Sequence, residues 1–341
     1  MREATDDPGT SRGGPRPPVV VTVTPNPAWD VTYEVPTLVP GEVHRVTRVH
    51  RRLGGKGVNA ARVLHVLGHD AVAVIPGPAG LAATAGLADG EARAGRAGGS
   101  RGPRLACDVV PGLPTIRQTL VVHGDDGLTT SLWEPGAEVG PGTGGALSDR
   151  VGAWLGPDGP ARGLVVSGSL PPGLDARLPA RLAALAIAAA VPAVIDTSGD
   201  ALNHAAAVSG VVLTPNASEL SQLTGRDCHD LAEAIAAART LLARGPRAVV
   251  VTLGADGLVA ATRDGTWHGR LAESLAGNPT GAGDAAAAAL IAGLAAAADW
   301  PRIVEDTVAT SAAAVLSPIA GDVAPADVAR LRPHVLVREV A

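Results

Sequence analysis

The sequence predicts an α/β fold in which a mostly parallel sheet is covered by helices on both faces, with a small β-structured lid or second domain. Three observations carry this. Apolar, β-branched runs recur along the second half of the chain. Segments with helical spacing separate them, the pattern of a parallel sheet buried on both sides. The chain has 341 residues, 46% of them hydrophobic, enough for one large core with an added lid or for two modest domains.

Val19 to Thr24 (VVVTVT) reads as a buried strand. Trp29 to Val35 and Val43 to His50 read as more exposed strands, Gly57 to Leu67 has helical spacing, and Ala71 to Ile75 is again a strand. From Gly77 to Pro103 the chain turns rich in Gly, Ala and Arg; a short helix can start this segment, and its end reads as a loop. Thr115 to His123 and Leu128 to Trp133, joined by Gly124-Asp125-Asp126-Gly127, read as a hairpin. Strands follow at Gly163 to Ser167, Ala193 to Thr197, Val211 to Leu213 and Ala248 to Thr252. Helices fall at Asp175 to Ala190, Ala217 to Thr224 and Asp230 to Ala243, then at Gly281 to Ala298 and Arg302 to Leu316. In such sheets ligands bind beyond the carboxyl ends of the strands.

Composition narrows the function. The net charge of −5 offers no basic surface for nucleic acid or an anionic membrane. Met1 to Pro18 is polar and lacks the apolar stretch of a signal peptide, so it reads as a disordered tail. The longest apolar run, Ala285 to Ala298, is too short and too Ala-rich to span a bilayer. Cys107 and Cys228 fit no zinc spacing and read as reduced thiols of a cytoplasmic protein. There is no Phe, so Ala, Val and Leu must fill the core. There is one lysine, Lys56, and it sits among glycines, where a compact ammonium fits and a wide guanidinium does not.

Five motifs carry chemistry. In Asn278-Pro279-Thr280-Gly281-Ala282-Gly283-Asp284 the glycines turn the chain sharply into a helix. Amide hydrogens at a helix N-terminus hold an anion, and Asp284 stands where it can accept a proton from an attacking hydroxyl. A glycine turn with an Asp cap is the bland alternative. Gly54-Gly55-Lys56-Gly57-Val58-Asn59 permits close approach to a ligand, with Lys56 for an anion and Asn59 for a sugar hydroxyl. It is not a Walker A loop, because Gly57 follows the lysine. In Thr214-Pro215-Asn216-Ala217-Ser218-Glu219, Asn216 and Glu219 can act on a hydrated Mg²⁺, with Glu219 reaching the ion through water, or simply form a capping box. Val251-Thr252-Leu253-Gly254-Ala255-Asp256-Gly257 is a glycine turn after a strand, fit for nucleotide phosphates or for linking two strands. Asp30 and Arg117 stand on the exposed strands, where a carboxylate can accept sugar hydroxyls and an arginine can clamp a phosphate.

This set resembles the PfkB (ribokinase-like) carbohydrate kinase family from about Val20 to Val323. Gly54 to Gly68 is similar to its first signature and Asn278 to Gly293 to its second; Val166 to Gly173, Asp196 to Gly199 and Thr214 to Glu219 also match. Thr24 to Asp30, the lysine in Gly-Gly-Lys-Gly, Trp133 to Gly136 and the Asn-Pro before the Gly-Ala-Gly-Asp turn resemble the 1-phosphofructokinase and tagatose-6-phosphate kinase branch. The resemblance implies a ribokinase-like three-layer fold with a β-sheet lid that often forms a dimer interface. Residues 19–28, 51–113 and 134–330 would form the core, 29–50 and 114–133 the lid, and 1–18 and 331–341 the tails. It implies ATP-dependent phosphorylation of a ketohexose phosphate, with fructose 1-phosphate the leading substrate. Tagatose 6-phosphate, fructose 6-phosphate and an inactive sugar-phosphate sensor are the alternatives. Asp284 would be the base and Gly281, Ala282 and Gly283 the anion hole. Asn216 and Glu219 would organise Mg²⁺ and phosphates, and Thr252, Gly254 and Gly257 would contact ATP. Asp30, Gly55, Lys56, Asn59 and Arg117 would hold the sugar phosphate, Lys56 and Arg117 as its cationic pair.

Overall fold

The computed structural model describes residues 18–81, 105–273, 275–317, 319 and 321–340. In chain order the strands are β1 (Val19–Val23), β2 (Ala28–Val35), β3 (Arg48–Gly54), β4 (Ala71–Gly77), β5 (Ala106–Pro111), β6 (Arg117–Gly124), β7 (Thr129–Trp133), β8 (Ala161–Ser167), β9 (Ala193–Asp196), β10 (Val212–Leu213), β11 (Ala248–Thr252), β12 (Leu258–Thr262), β13 (Thr266–Leu271) and β14 (Val335–Glu339). The helices are α1 (Lys56–Val66), α2 (Thr143–Leu155), α3 (Leu178–Ala188), α4 (Gly199–Ala205), α5 (Ala217–Thr224), α6 (Leu231–Leu242), α7 (Ala282–Ala295), α8 (Trp300–Val315) and α9 (Pro325–Leu331).

Ten strands form one sheet in the order β14-β13-β12-β11-β10-β9-β8-β1-β4-β5. Every pairing from β5 through to β11 is parallel, while β12, β13 and β14 add on antiparallel. Successive side chains of a strand point to opposite faces, and the core divides accordingly. Val20, Ala73 and Ile75 pack with residues of α1, α7 and α8. Val21, Val23 and Val74 pack on the other face with residues of α2, α3 and α6.

The aromatic-poor core works through close approach. A Cβ at Gly163 of β8 would lie 2.7 Å from Ile291 Cγ1, so α7 sits almost on the sheet. Its alanines are buried on nearly all sides, as a helix that is apolar all round requires.

Four strands stand apart as a second sheet, in the order β3-β2-β6-β7. The β6–β7 hairpin is antiparallel, but β2 and β6 run parallel, which sets Asp30 beside Thr119 on one side and Arg52 on the other.

The C-terminus departs from expectation. Where residues 331–341 read as a tail, α9 runs through Leu331 and β14 pairs antiparallel with β13 at the sheet edge, Leu271 opposite Val335 and Trp267 opposite Glu339. A strand this short, ending Arg338-Glu339, carries little apolar signal, and its partner lies far back in the chain. The exposed strand expected from Val43 begins only at Arg48, and β5, α2, α4, β12 and β13 are additional to the sequence expectation. The N-terminal tail up to residue 17 and most of the Gly77 to Pro103 segment lie outside the described residues. Among the described residues no helix is long and apolar enough to cross a membrane.

Candidate active site

The parallel strands deliver their last residues to one edge: Ser167 ends β8, Asp196 ends β9 and Thr252 ends β11. Helix α7 opens toward the same place. Gly281 takes φ +89°, a left-handed value that glycine accepts, and starts the helix two residues before Gly283. Asp284 follows in the first turn and is 5% exposed. Burial pushes its carboxyl up to about 7, against the nearby charge of Lys56. That value suits a general base near neutral pH. Of the turn's amides, that of Ala282 donates back to the Pro279 carbonyl at 3.2 Å.

Asn59 joins this turn to the smaller sheet. Its Nδ2 lies 3.1 Å from Asp284 Oδ2 and 3.1 Å from Asp30 Oδ2. Asp30 Oδ1 accepts a 2.6 Å hydrogen bond from Thr119. The glycines of the Gly54-Gly55-Lys56-Gly57 segment make the fit possible. A Cβ at Gly54 would lie 2.0 Å from Asp30 Oδ2, and one at Gly57 would lie 2.5 Å from Thr24 Oγ1. Gly55 caps α1 at φ +96° and sets Lys56 as its first residue.

Lys56 does not turn toward Arg117. Its Nζ lies 3.3 Å from each carboxylate oxygen of Asp196, and Ser167 donates to Asp196 Oδ2 at 2.7 Å. Asp196 foremost, with Asp284 and Glu219 behind it, holds the ammonium well above the usual lysine range despite burial. Asp196 is a functional candidate beyond the site residues that the sequence singles out; a carboxylate closing a strand in Asp196-Thr197-Ser198-Gly199 is its only sequence signal.

Asn216 and Glu219 form a complete capping box on α5, each side chain bonding the other's backbone N–H. They also face a cavity of about 120 Å³ lined by Lys56, Asp196, Thr252 and Gly283. Burial raises the Glu219 carboxyl. Two carboxylates on one small cavity suit Mg²⁺, which keeps several waters and takes one or two protein carboxylates beside phosphate. Among the described residues there is no group of three or more His, Cys, Asp or Glu side chains placed to hold a metal ion.

Thr252 and Asn216 also line a second cavity of about 600 Å³, together with Gly254. Gly257 touches neither cavity. A Cβ there would lie 2.0 Å from the Gly269 carbonyl oxygen, and φ is +84°, so close packing and a left-handed backbone both call for glycine. Arg117 lies on β6, donates to the Glu134 carbonyl at 2.8 Å and keeps a buried Nε with no hydrogen-bond partner. Burial pushes its guanidinium down. An orphaned buried donor of this kind invites an anion.

Residues 159–327 match the family described as pfkB family carbohydrate kinase. The chain is 36% identical to a 1-phosphofructokinase of Xanthomonas campestris pv. campestris, over 81% of this chain and 83% of that one. It is 31% identical to an ATP-dependent 6-phosphofructokinase isozyme 2 of Mycobacterium tuberculosis, over 81% and 78%. Among solved structures, phosphofructokinase-2 of Escherichia coli in complex with substrates and products superposes with a TM-score of 0.79 at 26% identity, covering 92% of this chain and 98% of that one.

Proposed function

Because the chain belongs to the pfkB family of carbohydrate kinases, we propose that it transfers the γ-phosphoryl group of ATP to a ketohexose phosphate, converting fructose 1-phosphate to fructose 1,6-bisphosphate. The observation that carries this is Asp284, buried at the mouth of α7 and tied through Asn59 to Asp30. The acceptor O6–H gives its proton to Asp284, the O6–Pγ bond forms, and the bond from Pγ to the bridging oxygen of ADP breaks. The first turn of α7, through Gly281 and Gly283, faces the charge of the moving phosphoryl group, and such preorganised donors dominate this chemistry. Asp30 orders sugar hydroxyls with Thr119 and Asn59, and Arg117 takes the phosphate already on the sugar.

ATP lies along Asn216, Thr252 and Gly254. Asp196 and Glu219 would hold a hydrated Mg²⁺ beside the phosphates, and the ion would supply charge neutralisation there. Both substrates are metabolites of the cytoplasm, where we place the protein. The smaller sheet forms the lid, and we propose that it also pairs two copies into a homodimer. The relative from Mycobacterium tuberculosis supports fructose 6-phosphate as the alternative acceptor.

The test is ADP release over a panel of fructose 1-phosphate, fructose 6-phosphate, tagatose 6-phosphate and free fructose. Fructose 1-phosphate is expected to give the highest kcat/KM, and Asp284→Asn to abolish turnover while nucleotide binding persists. Full turnover in Asp284→Asn removes the proposed base, and a preference for fructose 6-phosphate moves the assignment to the alternative.

A further inference from the structure

One guanidinium reaches the catalytic carboxylate through an intermediary. Arg62, on α1, donates from one Nη to Asn59 Oδ1 at 3.2 Å and from the other to the Leu53 carbonyl at 2.5 Å. We propose that Arg62 is a positioning residue for phosphoryl transfer: it locks the Asn59 amide with its NH₂ group toward Asp284 and ties that amide to the root of the lid. This rests on the kinase reading above and deepens it.

The stem of Asn59 has little freedom. It is 3% exposed, it lies three positions before Arg62 on the same face of α1, and a Cβ at Gly321 would lie 2.5 Å from its own Cβ. What can still turn is the plane of the amide, and an amide has two unlike ends. Its Nδ2 lies 3.1 Å from Asp30 Oδ2 and 3.1 Å from Asp284 Oδ2. An ionised carboxylate only accepts, so it keeps the NH₂ end facing it. A protonated carboxyl carries an O–H donor that suits the other end, and Asp284 takes up its proton near neutral pH. Arg62 decides between the two. A guanidinium only donates and does not lose its charge, so it holds Oδ1 in both states of Asp284 and leaves the NH₂ group for the base.

The second Nη explains why an arginine stands here. Leu53 is the last but one residue of β3, an outer strand of the smaller sheet, and the neighbouring pair on that strand is Arg52 opposite Asp30. One planar fork therefore spans the end of the lid strand and the amide on α1, a geometry that suits guanidinium better than a compact ammonium. The seating of the lid and the orientation of the amide are set by one side chain.

The test is a double-mutant cycle read by ADP release. Arg62→Met is expected to lower kcat with fructose 1-phosphate roughly 10–100-fold. The loss at pH 6 is expected to exceed that at pH 8 by roughly threefold to tenfold, the effect of about one hydrogen bond. The sign follows from the bond: Asn59 donates to Asp284 and favours its ionised form, so losing that donation leaves more of the base protonated at low pH. The charged groups that also face Asp284 are Lys56 of α1, Asp196 of β9 and Asp30 of β2, and the substitution leaves all three in place. In an Asn59→Ala background Arg62→Met is expected to change kcat less than about threefold, and Arg62→Lys alone should recover part of the loss. Equal losses at the two pH values, or the full loss repeated in Asn59→Ala, overturns the proposal. Should Arg62→Met fail to fold, the same cycle is run with Arg62→Lys. A readout without turnover separates this from the kinase reading. The ¹³Cγ resonance of Asp284, identified by its loss in Asp284→Asn, is expected to titrate at higher pH in the Arg62 variant than in the wild type. An unchanged titration overturns the positioning role even in an active kinase. Failure of the kinase reading looks different: the wild-type protein then releases no ADP with any ketohexose phosphate, whatever that resonance does.

Discussion

Asp284 is built to resist ionisation, and that links activity to stability. Its folded-state value of about 7 stands above the ordinary carboxylate value of 3.8. A group whose folded value is raised binds its proton more tightly when folded. Its contribution to stability is therefore full below the ordinary value and is lost as pH rises through about 7. At pH 8 the native state carries a buried anion whose cost is on the order of a few kcal/mol, since each tenfold change in proton affinity is worth about 1.4 kcal/mol. Asp284→Asn removes the anion. The variant is expected to melt above the wild type at pH 8, with the gap narrowing at pH 5.5; thermal melts at both values check this, and a gap that does not change with pH removes the buried-anion account. Turnover should follow the same titration, falling as pH drops below about 7 because the protonated carboxyl cannot accept the substrate proton.

At this same scale the sequence is partly legible. Asp284 is found because a glycine turn opening a long apolar helix is a local signal. The pairings of Lys56 with Asp196 and of Asn59 with Asp284 are not, because each contact spans the fold, across 140 and 225 positions. A lysine among glycines advertises an anion site, but not which of two phosphates it serves.

Two elements aim the chemistry, α1 and α7, and both depend on glycine for different reasons. Gly57 presses the first turn of α1 against the end of β1: a Cβ there would lie 2.5 Å from Thr24 Oγ1 and 2.7 Å from the Val23 carbonyl oxygen. Backbone cannot yield to a methyl group as a flexible side chain can, and overpacking typically costs about 1–3 kcal/mol. Gly283, in the first turn of α7, has nothing within 4 Å of the same position, yet it lines the smaller cavity. Gly57→Ala is expected to lower the melting temperature and shift Lys56 and Asn59 with it. Gly283→Ala should melt within a degree or two of wild type and lose turnover, because its methyl group enters the phosphate cavity. Denaturation curves and ADP-release rates for the pair separate the roles; equal destabilisation by both substitutions contradicts this division. At the scale of elements most buried strands and long helices are legible from periodicity. The strands β12 and β13 are not, since the Thr252 to Gly257 turn reads equally as a ligand loop. Nor is β14, whose identity comes from its partner and not from its own five residues.

For the whole molecule, the smaller sheet is the part whose surface is least explained by one chain. Its register sets Val49 opposite Tyr33 and Leu132 opposite Leu120, so these residues share a face with Val31. Val49 is 57% and Leu132 59% exposed. Asp30 and Thr119 occupy the opposite face, toward Asn59. Val49 and Leu132 stand on the two edge strands and flank Val31 and Val122, which the chain itself buries, so the exposed apolar side chains lie at the margins of this face; exposed apolar surface is where an interaction site is sought. In the proposed homodimer a second copy of the same sheet would meet these margins, as two-fold symmetry allows. The proposed dimer therefore predicts a sedimenting mass near twice 33.9 kDa at micromolar concentration. Val49→Glu with Leu132→Asp should return the monomer, because charges set opposite like charges at a two-fold interface repel. The same double variant should raise the KM for the sugar phosphate more than it lowers kcat, because a lid freed from its partner still meets Asp284 through Asn59 but closes less firmly over the acceptor. A wild-type protein that sediments as a monomer at tens of micromolar, with an unchanged KM in the double variant, removes the lid-mediated dimer while leaving phosphoryl transfer at Asp284 untouched.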